Sequence, residues 1–409
     1  MIIKGKYAEA ECYASIIEQE AIDQIKTMCD YPFTIGSSIR IMPDVHAGAG
    51  CTIGTTMTIT ERVVPNIVGV DIGCGVYVCR FEKPIKDLKQ FDKVVHEIPS
   101  GRNIWEHKHG KYKYENFKCY EDLIKGQEDR FDLAIGTLGG GNHFIEIDKD
   151  EQGNQYLVIH TGSRNLGKQI AEYYQQKAID YHKGLFNYKD EKERLIRVCK
   201  EQGRERDIQK ELERLNAEYK AKTTEVPEDL CWLEGDLFRD YINDMKYCQQ
   251  YASMNRNAIA SHIIDTYNSL GGEQIIIAES FTTVHNYIDT EEMILRKGAV
   301  AAHKDEKLII PINMRDGSII AVGKGVKEWN YSAPHGAGRL MSRRKAREKL
   351  DVKDFKEQMK GIFTSTVNTS TLDEAPMAYK SIDDIIDIVK ETVDIIDIVK
   401  PIYNFKASE

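Results

Sequence analysis

The chain has 409 residues, 41% of them hydrophobic and 30% charged, with a formal net charge of −9. That length and apolar content provide for one large or two ordinary globular domains and exclude a disordered chain, and the acidic balance excludes a protein that holds polyanions by overall attraction. No run approaches the ~18 apolar residues of a membrane span, and the start, MIIKGKYAEAECYAS, lacks an apolar leader, so a cytoplasmic protein with no membrane partner is expected.

Up to about residue 180, short β-rich runs (SIRIMPDV, TTMTIT, NIVGVDIGCGVYVCRF, HFIEI, YLVIH) alternate with helical stretches, of which SRNLGKQIAEYYQQKAIDYH is the clearest. This pattern predicts an α+β fold with mixed β-sheets. From Tyr188 to about Tyr219 the chain turns highly charged and helical with too few apolar positions to bury two faces. Residues 188–222 therefore read as a projecting charged helical insertion, rejoined through KTTEVPED. A long amphipathic helix follows, from LCWLEGDLF to Gly271 and Gly272, and then strand-like runs EQIIIAES, EMILRKGAVAAH, KLIIPINM and SIIAVGKG. Near the end DIIDIVK occurs twice, at 384–390 and 394–400. One copy suits a helix face, whereas the second, followed by Pro401 and IYNFK, suits a strand that closes the sheet. Nothing resembles an interdomain linker, so a single large domain over 1–409 is expected.

The nine cysteines are odd in number and show no CxxC pair, which points to a reducing compartment and mostly small buried thiols. Cys74 differs. It lies in VGVDIGCG, flanked by glycines and three residues after Asp71. Five more glycine-flanked motifs each present a metal ligand or a nucleophile: MPDVHAGAG (Asp44, His46), GGGNHFIE (Asn142, His143, Glu146), VIHTGSRN (His160, Arg164), VHNY (His285) and APHGAGR (His335, Arg339). Asp71, Cys74, His143, His160 and His285 are enough for two divalent ions that share Cys74, because a thiolate can bridge. Each histidine could instead be a hydrogen-bonded core residue. The mixed S/N/O set favours a first-row transition metal over Mg²⁺ or Ca²⁺, and the spacing does not select among manganese, zinc and iron. His335, with glycines on either side of Ala337 and an arginine four residues on, suits a nucleophile toward a phosphoryl group, or else a further metal ligand or structural histidine.

In these motifs the chain closely resembles the RtcB family of RNA-splicing ligases. The resemblance runs from MPDVHAGAGCTIG to the C-terminus through VGVDIGCG, GTLGGGNHFIE, HTGSRNLG, ASMNRNA, HNY, RKGAV, HGAGRLMSR and EAPMAYK. It implies an RtcB-like domain with two Mn²⁺ ions and GTP as cofactors. The implied reaction joins an RNA 3′-phosphate or 2′,3′-cyclic phosphate end to a 5′-hydroxyl end, in RNA repair or tRNA splicing. His335 would become histidine-GMP. One manganese would take Asp71, Cys74 and His143, the other Cys74, His160 and His285. Nucleotide contacts carry over to Asn142, His143, Phe144, Ile145, Glu146, His285, Pro311, Ile312, Asn313, Met314, Ser318, His335, Gly336, Ala337, Gly338, Tyr379 and Lys406. Arg164, Arg339 and Arg343 carry over as RNA phosphate contacts.

The chain departs from the resemblance at 311–314, where Ile312 and Asn313 replace the glycine and serine common in the family. A branched side chain there would keep backbone from the nucleotide, so weaker purine discrimination or a higher GTP requirement is expected. Rival readings are a two-metal phosphohydrolase, which has no use for a nucleophilic His335, and a noncatalytic RNA-binding relative.

Overall fold

Runs rich in Val, Ile and Thr pair into sheets because they can bury one face, and the computed structural model, which describes residues 1–185 and 188–407, sorts most of them into two main sheets. In chain order the strands are β1 (Ile2–Lys4), β2 (Glu9–Cys12), β3 (Ile39–His46), β4 (Ile53–Thr58), β5 (Arg62–Val63), β6 (Gly75–Phe81), β7 (Phe144–Lys149), β8 (Gln155–Thr161) and β9 (Leu233–Glu234). They continue with β10 (Ile277–Val284), β11 (Asn286–Asp289), β12 (Ile294–Lys297), β13 (Ala299–Ala301), β14 (Lys307–Asn313), β15 (Gly317–Gly323), β16 (Ser332–Pro334), β17 (Phe363–Thr364) and β18 (Val393–Lys406). One sheet runs β1-β2-β3-β4-β12-β11, and the larger runs β10-β6-β8-β7-β18-β15-β14 with β17 parallel to β18. Helices interleave with both, so the class is α+β as expected. Among the described residues no helix is long and apolar enough to cross a membrane.

The larger sheet curls until its outer strands meet. Ile309 N donates to Thr283 Oγ1 at 3.2 Å and Lys307 pairs with Glu279 at 2.9 Å, both joining β14 to β10. Inside the curl Val76, Val78, Phe144, Val158, Ile309, Ile320 and Val399 form an apolar cluster. Strand alternation puts Phe144, Glu146 and Asp148 on this inner face, while Ile145 and Ile147 join an outer core with Ile259, Ile263 and Tyr267.

The last three belong to the helix Gly235–Ser269, which spans 35 residues and ends before Gly271 and Gly272. It begins later than the sequence suggests, because Leu233 and Glu234 are held extended as β9 against β5. NIVGV also differs from expectation. Pro65 starts a single helical turn, Pro65–Val68, that stops at Gly69 (φ +102°), so the strand begins only at Gly75. Helices Tyr188–Glu201 and Ile208–Lys220 pack on each other through the Tyr188 and Tyr219 rings, 4.8 Å apart, and their charged faces are exposed.

The duplicated heptapeptide adopts both forms. Its first copy lies in the helix Asp383–Val389, where Ile385 and Val389 are buried at i,i+4, and its second lies within β18. A register shift between Pro401 and Tyr403 accommodates the missing proline N–H in the ladder with β7.

Candidate active site

Strand register brings the metal-ligand candidates together. Cys74 immediately precedes β6, His160 lies at the end of β8, His143 immediately precedes β7 and His285 immediately follows β10. Val76 and Phe144 both pair with His160, and Gly75 pairs with Val284. Four neighbouring strands thus deliver their ligands to one end of the curled sheet. Cys74 Sγ lies 3.3 Å from His160 Nε2 and 3.6 Å from His143 Nε2. His160 Nε2 is 3.3 Å from His285 Nε2, and His143 Nε2 is 3.0 Å from Asp71 Oδ2.

Two triads result, Asp71–Cys74–His143 and Cys74–His160–His285, each with its ligand atoms within 4.8 Å of one another. The residues fit a pair of metal ions by a further test. His143 Nδ1 lies 2.9 Å from Leu138 O and His160 Nδ1 lies 3.1 Å from Asn142 O. A carbonyl only accepts, so each Nδ1 carries the proton and each Nε2 lone pair faces the cluster, the arrangement of metal-ligating imidazoles. Burial holds His160 and His285 well below the usual imidazole range, keeping both neutral. Burial also pushes the Cys74 thiol well above its usual range, with Asp71 adding to it, so an arriving cation has to displace a proton. Gly162 is required here, since a Cβ on it would stand 2.2 Å from Asp71 Oδ1.

His335 stands beside this cluster, its ring 5.0 Å from that of His285. Its Nδ1 lies 2.8 Å from Oδ2 of Asp44, which is completely buried, and the other oxygen of Asp44 has no partner among the described residues. The pair joins residues 291 positions apart. Asp44 belongs to a motif visible in the sequence, but its partner could not be read from there. With the proton on Nδ1, His335 Nε2 presents its lone pair. A cavity of about 330 Å³ opens beside it, lined also by His46, His160 and His285.

Most of the expected nucleotide contacts line this same cavity: Asn142, Phe144, Glu146, His285, Pro311 to Met314, His335 to Gly338, Tyr379 and Lys406. Three do not. His143 belongs to the metal cluster and to a second cleft. Ile145 points to the outer core, because it alternates with Phe144 and Glu146 along β7, so its side chain cannot contact a ligand in the cavity. Ser318 is completely buried next to the lining, and its Oγ has no hydrogen-bond partner among the described residues. The departure at 312–313 has a structural setting of its own. The Ile312 side chain packs with Ile310, Ile319 and Ala337, and Asn313 bonds Asp316 and the backbone N–H groups of Arg315 and Asp316, shaping the β14–β15 turn. Both residues also line the cavity.

One wall of the cavity is an ionic network that the sequence did not disclose. Buried Glu374 receives Lys406 Nζ at 2.8 Å, Arg343 Nη1 at 2.9 Å, Arg339 Nη1 at 3.2 Å and the Tyr379 hydroxyl at 2.8 Å. Lys406 also donates to Asn142 O at 2.9 Å and lies 5.2 Å over the Phe144 ring. Glu146 accepts from Asn404 Nδ2, and burial raises its carboxyl to about 7. The three arginines expected at RNA are all engaged within the protein. Arg339 and Arg343 hold Glu374 and Asp373, and Arg164 donates to Thr137 Oγ1 (3.0 Å) and Gly101 O (2.8 Å).

A two-triad cluster of histidine, cysteine and aspartate that could hold metal ions opens into a cavity beside a carboxylate-held histidine, an arrangement suited to an enzyme. Residues 24–407 match the family described as tRNA-splicing ligase RtcB, and the chain belongs to that family. It is similar to the RNA-splicing ligase RtcB of Escherichia coli (strain K12), with 30% identity over 404 aligned residues covering 90% of each chain. It is also similar to the tRNA-splicing ligase RtcB of Archaeoglobus fulgidus, with 29% identity covering 91% of this chain and 88% of that one. The RNA-splicing ligase RtcB homolog 1 of Entamoeba dispar is 26% identical, covering 85% and 74%.

Proposed function

We propose that this protein is a GTP- and manganese-dependent RNA ligase that joins a 3′-phosphate or 2′,3′-cyclic phosphate end to a 5′-hydroxyl end through histidine-GMP. The observation that carries the reading is the placement of His335, held through Nδ1 by buried Asp44, in one cavity with two imidazoles of the metal cluster. His335 Nε2 attacks the α-phosphorus of GTP and pyrophosphate leaves. A cyclic phosphate is first hydrolysed by water to the 3′-phosphate; the RNA 3′-phosphate then takes GMP from His335, and the 5′-hydroxyl displaces GMP to form the phosphodiester. Manganese held by the two triads would stabilise charge on the phosphoryl oxygens. Lys406 and Glu146 orient the nucleotide, and Asp44 stabilises the positive ring as His335 is phosphorylated. The family relationship supports an RNA substrate over a phosphohydrolase, which would leave the Asp44–His335 pair without a task.

A second cleft of about 510 Å³ is lined by Asp71 and His143. Arg102, Arg130, Arg164 and Lys168 line it, and Arg102 and Arg130 are exposed with no ion pair among the described residues. Such a cleft suits an RNA backbone and localises positive charge on a chain whose total is −9. We assign the RNA end to this cleft, with Arg102 and Arg130 as its free phosphate contacts.

Incubation with [α-³²P]GTP and Mn²⁺ tests the reading. The protein should become labelled, lose the label in acid and keep it in alkali, as a phosphoramidate does, and His335→Ala should take up none. Label on His335→Ala, or normal joining of unactivated ends by it, would overturn the assignment.

A further inference from the structure

We infer that Asn255 and Arg256, in the middle of the helix Gly235–Ser269, are positioning residues that hold the three metal-ligand loops in register from behind. The inference rests on the metal reading above. Both side chains are completely buried or nearly so, at 0% and 1% exposure. Two adjacent polar groups inside a core cost free energy unless they are hydrogen-bonded, so their partners show what they are for.

Those partners are backbone groups of the ligand loops. Arg256 Nη1 donates to Gly73 O at 2.7 Å and to Thr161 O at 3.0 Å. Gly73 precedes Cys74 and Thr161 follows His160, so one guanidinium joins the two loops whose side chains share a cation. Asn255 Oδ1 accepts from Gly136 N at 2.8 Å and Thr137 N at 3.1 Å, and its Nδ2 donates to Thr137 O at 3.2 Å and Gly162 O at 3.0 Å. Thr137 precedes Leu138, whose carbonyl fixes the His143 ring. The loops GTLGGGN, DIGCG and HTGSR have few side chains of their own to pack. The helix supplies the missing constraint at close range: a Cβ on Gly73 would lie 3.0 Å from Gln249 Cα and Ala252 Cβ. Neither Asn255 nor Arg256 is among the ligands of the two triads, so both act through backbone. Arginine suits the role because the two hydrogens of its Nη1 lie in a fixed plane and meet the two carbonyls together, a geometry that a freely rotating ammonium does not preset.

The test uses the full chain stripped of metal and titrated with Co²⁺, whose thiolate charge-transfer band reports binding at Cys74. Wild type should develop the band. Arg256→Lys and Asn255→Ser should bind cobalt about 10- to 100-fold more weakly with an unchanged helical circular-dichroism signal. Ile263→Ala, which removes a buried group from the same helix facing the other core, should lower the thermal midpoint but retain wild-type cobalt affinity. Wild-type affinity in both Arg256→Lys and Asn255→Ser would overturn the inference. So would an equal loss in Ile263→Ala, which would make the effect one of general stability. If one positioning variant does not fold, the other carries the comparison. A wild-type protein that develops no band would instead refute the metal reading itself, together with what rests on it.

Discussion

Replacing Asp44 by Asn tests how His335 is activated without touching a metal ligand. Asp44 Oδ2 lies 2.8 Å from His335 Nδ1, and its other oxygen has no donor among the described residues. When Nε2 attacks phosphorus the ring acquires positive charge about 4 Å from the carboxylate charge, and at an effective dielectric of about 20 the attraction is about 4 kcal/mol. That corresponds to roughly 10³ in rate. Asparagine removes the charge in either orientation. With its amide toward His335 it also moves the ring proton to Nε2, where no lone pair remains for attack. With its carbonyl toward His335 it leaves a buried NH₂ group in place of the unpartnered oxygen, at a cost of about 1–3 kcal/mol. Single-turnover label uptake from saturating [α-³²P]GTP should therefore slow about 10³-fold, while bound metal and sealing of RNA already activated with guanylate stay at wild-type levels. Uptake within about tenfold of wild type, with the protein folded, would refute this account of the pair.

Ile312→Gly should cost stability and leave nucleotide choice alone. The side chain is 3% exposed in an aliphatic cluster, so its loss together with added chain freedom should cost about 3–5 kcal/mol in urea unfolding, and a changed ratio of GTP to ATP use would show that the position does address the ligand. Glu374→Gln should flatten the acid limb of stability. Burial acts upward on this carboxyl, but Lys406, Arg343 and Arg339 prevail and hold it at about 2 against an ordinary 4.5. The stabilisation is therefore complete above about 4.5 and is lost as pH falls toward 2, amounting to about 3 kcal/mol. Denaturant midpoints between pH 5 and pH 2 check this, and an acid limb as steep in the variant as in the wild type would count against it.

What could be read from the sequence was local or family-borne. The ligand motifs stood out because cysteine, histidine and glycine share short windows, and the fold brings Asp71, Cys74, His143, His160 and His285 to one end of a sheet. Pairings across long separations were not legible. Asp44 finds His335 only after 291 residues, and Glu374 draws charges from the HGAGR segment and from Lys406 near the chain end. Strand direction was equally hidden at Ile145, since a contact copied by motif does not say which side of the sheet a side chain takes. NIVGV misled because an apolar run of five looks the same whether it extends or makes one helical turn after a proline.

The repeated DIIDIVK carries no instruction of its own, as identical residues coil once and extend once, so the flanking residues must decide which copy enters the sheet. Sliding the tail forward by ten positions would offer the first copy to β15 just as well. It would also bring Asp394 to the place of Asn404, against Glu146, and Ile396 to the place of Lys406, beside Glu374. A second acid would then face an already buried one, and Glu374 would lose its lysine. The same side chains that line the cavity thus penalise the slipped register: it would ruin the pocket and bury charges without partners, a cost of the kind that disfavours a competing fold.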